Sequence, residues 1–272
     1  MACCGAHVQV KDTIYETLQY IDGKKTKCLQ CFLGGPQRYE TRTVSAEDAT
    51  KSREYLERMN GKMYVHASYI INLASSDETI VEKGRNCLQK AINTLNQISS
   101  QRTVIVYHFG AKGTVENVGR QINDMNLTVP VFVENSAGEG TKLGKNFEEL
   151  RHLIEATDSF NHGVCIDTCH SFASGMTDFR DISQTEKLFE DLSTFEDRPI
   201  MFHVNDSLTE FNGRKDRHAP IRNGHLFNLN RPDSETPLIR LYELAKSSGT
   251  DIIFETPSPV SSEYEIDLFH KS

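Results

Sequence analysis

The chain of 272 residues predicts a (β/α)8 (TIM) barrel forming a single domain over residues 1–272. Three observations lead there. Eight short apolar segments recur along the chain, stretches of helical periodicity separate them, and no linker or block of charge divides the sequence. A doubly wound open sheet is the weaker alternative, because no glycine-rich turn follows the first strand.

The strand segments are residues 5–8, 28–33, 64–66, 103–108, 129–134, 163–167, 200–205 and 251–255. Most are β-branched or aromatic and apolar on both faces, as parallel strands covered by helices should be. Between them, residues 46–59, 79–98, 114–122, 147–156, 184–192 and 237–247 carry helical periodicity. No internal repeat appears at a fixed period.

Composition sets outer limits. Apolar residues make up 38% and charged residues 25% of the chain, the balance of an ordinary globular protein. No apolar run approaches the ~20 residues of a membrane span, and the N-terminus lacks the apolar core of a signal peptide. An intracellular, soluble protein of the cytoplasm or nucleus is therefore expected. The seven cysteines are irregularly spaced, which does not suit a secreted disulfide scaffold. Cys28 and Cys31 form a C-x-x-C, but on one strand they face opposite ways. They are expected to be ordinary buried or half-buried thiols. The net charge of −8 argues against a broadly basic nucleic-acid face, although three divalent cations would cancel most of it.

The strand ends carry the chemistry. Val164-Cys165-Ile166 runs into Asp167, and His170 follows three residues later, one turn away if a helix begins there. The third strand ends in His66, the fourth in His108, the fifth in Glu134 and the eighth in Glu255, while the seventh carries His203 near its end. Asp216 and His218 lie in the following loop, where i, i+2 spacing points both the same way if the loop is extended. In a barrel these positions converge on the C-terminal face. Singly, each has a plain alternative, a hydrogen-bonded structural histidine or the first solvated carboxylate after a strand. His152, His162 and His225 fit that plain role, and His7 stays open. Together the nine are harder to explain without metal. Four carboxylates crowded in one cavity cannot all ionise without cations, and His with Asp and Glu is a zinc-type donor set.

With these residues aligned, the chain resembles the endonuclease IV family of apurinic/apyrimidinic (AP) endonucleases. The resemblance runs from Gly5-Ala6-His7-Val8 to Glu255-Thr256-Pro257. It includes His66-Ala67-Ser68-Tyr69, Glu134-Asn135-Ser136-Ala137-Gly138-Glu139-Gly140, Val164 through His170, His203-Val204-Asn205-Asp206-Ser207 and Asp216-Arg217-His218. It implies a monomer acting on double-stranded DNA that contains abasic sites, with three zinc ions per chain, for which manganese or magnesium can substitute. His66, His108 and Glu134 would hold the first ion. Glu134 would bridge to a second, held also by Asp167, His203 and Glu255, and His170, Asp216 and His218 would hold the third. The implied reaction cuts the phosphodiester 5′ to the abasic site and leaves a 3′-hydroxyl. A hydroxide shared by two ions would be the nucleophile, with Glu134 and Glu255 as the catalytic carboxylates.

The resemblance further implies that Arg38, Tyr69 and Ile70 enter the duplex, since an arginine with an aromatic or aliphatic wedge suits unstacking. Tyr69 and Ile70 could instead be core residues. Arg217, beside Arg214 and Lys215, suits phosphate contact. The chain departs from the family pattern at Phe109 (usually Pro), Ser136 (usually Thr) and Arg222 (usually Gly), and only a short closing helix can follow Glu255. A metal-dependent sugar isomerase or epimerase on the same barrel is the main alternative, but it has no use for Asp216-Arg217-His218. A non-catalytic DNA-binding scaffold would be expected to lack ligands, and all nine are present.

Overall fold

The computed structural model describes residues 2–272 except 160, 196–197, 228–234 and 257–258, so Pro257 of the C-terminal motif lies outside the described residues. Eight parallel strands close into a barrel: β1 (Cys4–His7), β2 (Cys28–Phe32), β3 (Lys62–His66), β4 (Thr103–His108), β5 (Val131–Glu134), β6 (His162–Asp167), β7 (Ile200–Val204) and β10 (Asp251–Phe254). β10 pairs with β1 and β7 to complete the ring, and a two-stranded antiparallel ribbon, β8 (Asp206–Ser207) and β9 (His218–Ala219), stands after β7.

Each barrel strand matches a predicted segment, with ends shifted by a residue or two. The fifth starts later than expected because Pro130 has no N–H to give the ladder; its carbonyl instead accepts from Ile105 at 3.0 Å.

The helices lie outside the ring: α1 (Ile14–Leu18), α2 (Ala46–Met59), α3 (Glu78–Ile98), α4 (Val115–Asn123), α5 (Phe147–Glu155), α6 (Thr168–Ser174), α7 (Ile182–Ser193), α8 (Glu235–Ser248) and α9 (Pro259–Lys271). Local chemistry fixes their starts. Ser45, Asp77, Thr114, Asn146 and Asp181 each accept a hydrogen bond from a first-turn amide, satisfying N–H groups the helix cannot. The face of α3 carrying Leu88, Ile92 and Leu95 is buried, in the core between helices and barrel.

Strand parity positions everything else. Side chains two apart share a face, and the interior of the ring holds Cys28, Tyr64, Val104, Val106, Phe132, Cys165, Met201 and Ile253. Stepping two residues on from the last inward residue of each strand reaches Gln30, His66, His108, Glu134, Asp167, His203 and Glu255, and on β1 the step from Gly5 reaches His7. All eight strands thus present one inward side chain at the C-terminal mouth. The ladder sets His108 beside Glu134 and Asp167 beside His203. At the opposite mouth Asp251 is 5% exposed and accepts from Cys3 N–H at 2.6 Å, Lys62 Nζ at 2.5 Å and Tyr64 Oη.

One expectation needs correcting, and one alternative falls away. Cys3 and Cys28 are bonded to one another, not free thiols. Inside the ring Cys28 faces away from Cys31, and the start of β1 brings Cys3 to it. Crosslinking residues 25 apart in sequence stabilises by roughly 3.5 kcal/mol on the loop-entropy model. Tyr69 and Ile70 are not core: Tyr69 is 50% exposed and Ile70 is partly so.

The departures at Phe109 and Arg222 have visible reasons. Phe109 is fully buried and lies so close to Gly144 that a Cβ there would meet its ring at 2.7 Å. Arg222 has φ 74°, the left-handed region that favours glycine, and its guanidinium donates to Glu265 at 3.4 Å and stacks 4.7 Å over Tyr264 on α9. The closing helix is not short as expected, at 13 residues, and it is thereby tied to the segment that follows β9.

Candidate metal centre

Glu134, 1% exposed, is the hub. Its carboxylate lies 3.0 Å from His66 Nε2, 3.5 Å from His108 Nε2, 3.3 Å from His170 Nδ1 and 3.1 Å from His203 Nδ1. Glu255 reaches His203 Nδ1 at 3.4 Å. On the other side Asp216 lies 3.2 Å from His170 Nε2 and 3.3 Å from His218 Nε2, and Asp167 lies 3.6 Å from His218 Nε2.

All nine predicted ligands are therefore in one connected cluster. Ligand atoms of His66, Glu134, His203 and Glu255 lie within 4.8 Å of one another, as do those of Asp167, His170 and His218. Asp167 thus lies between the two groups, beside His203 on the ladder and near His170 and His218. Cys169 also approaches Asp216 and His218, but burial pushes its thiol to about 12.

Three of the imidazoles have one nitrogen anchored. His66 Nδ1 is 2.7 Å from the carbonyl of Ala67, His170 Nδ1 is 3.1 Å from the carbonyl of Asn135, and His203 Nε2 is 2.9 Å from Gln30 Oε1. A carbonyl accepts only, so each anchored nitrogen carries the proton. In a neutral ring the other nitrogen then bears a lone pair. For His66 and His203 that lone pair faces carboxylate oxygens, and for His170 it faces Asp216 and, at 3.4 Å, His218 Nε2. Lone pairs so opposed need a proton or a metal ion between them.

The electrostatics agree. Burial opposes charging His170 and His203, yet Asp167 and Asp216 around the first, and Cys165, Glu255 and Glu134 around the second, push both well above the usual range. Burial would raise Glu134, but His108 and His203 hold it well below the usual carboxylate range. His108 goes down, to about 4, because burial outweighs Glu134. Burial raises Asp167 despite His170 and His218. A pocket whose carboxylates draw protons onto buried imidazoles is one that a divalent cation can neutralise.

Several contributors were not singled out from sequence. Asn135 takes the N–H of Asp167 on its Oδ1 at 2.6 Å, and Asn205 Nδ2 donates to Asp167 Oδ2 at 2.6 Å, so Asn135 holds the main chain of Asp167 and Asn205 its carboxylate. The Asp167 Oδ1 accepts from His170 N–H at 2.8 Å, capping α6 and turning the imidazole inward. Glu139 holds the backbone of Asp216. Gln30 and His7 complete the ring at β1 and β2, and the inward parity of Cys28 and Gly5 was the signal that could have found them.

The residues implied in DNA contact ring the cluster. Tyr69 packs 5.0 Å from the His66 ring and 5.8 Å from the His108 ring. Its N–H donates to the carbonyl of Pro36 at 2.8 Å, and Arg38 N–H donates to the carbonyl of Gly35 at 3.1 Å, so the Arg38 loop is laid against the Tyr69 loop. Arg38 is exposed, as are Arg214, Lys215 and Arg217 on the far side. A cleft of about 580 Å³ lined by Tyr39, Tyr69, Ile70, His108, His170 and Asp216 opens onto the cluster. Among the described residues no helix is long and apolar enough to cross a membrane.

A family model described as the xylose isomerase-like TIM barrel matches residues 27–235. "Probable endonuclease 4" of Halothermothrix orenii is 30% identical over 278 residues, 97% of this chain and 96% of that protein. "Probable endonuclease 4" of Malacoplasma penetrans is 32% identical over 243 residues, 81% of each. Endonuclease IV from Thermus thermophilus superposes with a TM-score of 0.82 at 24% identity, covering 99% of this chain and 98% of its own.

Proposed function

The chain belongs to the endonuclease 4 group of the xylose isomerase-like TIM-barrel family and is a metal-dependent AP endonuclease, and we propose that it hydrolyses the DNA phosphodiester 5′ to an abasic site, leaving a 3′-hydroxyl, with three zinc ions. The observation that carries this reading is the connected cluster of five imidazoles and four carboxylates at the barrel mouth, with three rings anchored through one nitrogen. That pattern is how proteins orient histidine toward a metal. The donor set fits zinc: nitrogen and carboxylate oxygen, buried and close together.

His66, His108, Glu134, Asp167, His203 and Glu255 would hold two ions that share Glu134. His170, Asp216 and His218 would hold the third. When bound, such ions make a nucleophile from water at neutral pH and offset charge on the leaving oxygen.

The chain's own residues then supply position. Asn135 and Asn205 fix Asp167. Arg38, Tyr69 and Ile70 stand at one rim, where a wedge would open the stack and bring the abasic sugar to the mouth. Arg217 stands at the other rim, suited to a phosphate. A monomer suffices in this reading, because every group named belongs to one chain.

The test is to incubate metal-loaded protein with a duplex containing one tetrahydrofuran abasic analogue and to map the ends. A 3′-hydroxyl and a 5′-phosphate flanking the analogue on its 5′ side are expected. No incision, together with epimerisation of a keto sugar, would overturn the proposal.

A further inference from the structure

We infer that Gln30 is a positioning residue for the metal centre: it fixes which nitrogen of His203 can bind an ion and holds Glu255 alongside. This rests on the metal-centre reading above.

Gln30 is fully buried and is neutral among charged neighbours. Its Oε1 lies 2.9 Å from His203 Nε2, and its Nε2 lies 3.0 Å from His7 Nδ1 and donates to Glu255 Oε1. The orientation of the amide is forced. A carboxylate accepts only, so the NH2 group must face Glu255 and the carbonyl oxygen must face His203. His203 Nε2 must then carry a proton to donate to that oxygen. Only Nδ1 is left as a ligand, and Nδ1 is the nitrogen 3.1 Å from Glu134 and 3.4 Å from Glu255. One side chain on β2 thus selects the tautomer of a ligand on β7 and restrains a ligand beyond β10.

The anchors of His66 and His170 are backbone carbonyls, which substitution leaves in place. That of His203 is a side chain, so it can be removed. Gln30→Met keeps length and apolar bulk but offers neither the acceptor nor the donor. Gln30→Glu keeps an acceptor for His203 Nε2–H.

Zinc affinity is read by competition with a chromophoric chelator, and the ligating nitrogen of His203 by long-range 15N–1H correlation on zinc-loaded protein. The parent should coordinate through Nδ1 with Nε2 protonated. Gln30→Met should lower affinity for the most weakened ion by roughly 10–100-fold, as loss of a ligand's hydrogen-bond partner does, and mix the two tautomers. Gln30→Glu should keep the Nδ1 pattern. Parental affinity and an unchanged His203 pattern in Gln30→Met would overturn the inference. So would coordination through Nε2 in the parent, which requires no variant to fold. A parent that binds no zinc would overturn the metal centre and this inference together.

Discussion

Glu139 Oε1 accepts the backbone N–H of Asp216 at 3.0 Å, joining the loop after β5 to the loop after β7. The same carboxylate takes Lys142 Nζ at 3.0 Å and lies 3.8 Å from Arg217. It therefore holds the main chain of a candidate ligand while pairing two cations at the rim. Glu139→Ala should release that loop and weaken metal retention by ~10-fold or more. Glu139→Gln, which still offers an oxygen to the amide, should stay close to the parent. Elemental analysis after dialysis against a weak chelator checks both, and equal loss in the two variants would assign the effect to charge instead of to the hydrogen bond.

Glu134→Gln should abolish incision. In the proposed centre Glu134 is shared by two cations; an amide cannot bring negative charge to both, and its loss should cost at least ~10²-fold, beyond the range seen for supporting residues. Turnover on the abasic duplex in zinc-replete buffer is the measurement. Near-parental turnover would remove Glu134 from the centre.

Replacing Arg38 and Tyr69 together with Ala should weaken binding to an abasic duplex and leave metal content unchanged, since neither side chain is a ligand. Unstacking costs a few kcal/mol per step, so a loss of roughly tenfold or more is expected. It should shrink on a duplex already gapped opposite the lesion. Titrations must share one ionic strength. Equal affinity for the intact duplex would assign the opening of the stack to another loop.

His162 gives a pH signature away from the centre. It is fully buried between Tyr107 Oη at 3.0 Å and Thr157 Oγ1 at 3.1 Å, and burial, aided by Arg198, pushes it down to about 3 from 6.5. The folded state thus binds this proton more weakly than the unfolded chain. Its stabilisation is complete above pH 6.5 and is lost as pH falls toward 3, on the order of 2 kcal/mol between pH 7 and pH 5. Denaturant unfolding of the parent and His162→Gln at both pH values should show a shallower decline in the variant. Parallel declines would mean that His162 titrates alike in both states.

The barrel was legible because its strands are apolar on both faces and end in residues that no core would choose. Thr103–His108 coincides with its segment, and the helix Ala46–Met59 does too. The seven-residue α6 was foreseen only as a condition on Asp167 and His170, since Thr168 to Ser174 is too short for periodicity to speak. Gln30 escaped because an amide within an apolar strand carries no charge to mark it. Glu139 escaped because its partner is 77 residues away, and no local pattern encodes a loop meeting a loop. The bond between Cys3 and Cys28 depends on β1 lying in register beside β2, which spacing alone does not reveal.

The ring of eight inward side chains makes the barrel resemble a macrocyclic chelator more than an open-chain one. His66, His108, Glu134, Asp167, His203 and Glu255 sit on, or one residue beyond, six hydrogen-bonded strands, so none can swing away from an ion without disturbing the sheet. A slip of one residue in any of these strands would turn its donor outward. Ion capture therefore reports correct closure of the sheet, and exchange of bound ions should be slow relative to the movements of the surrounding loops.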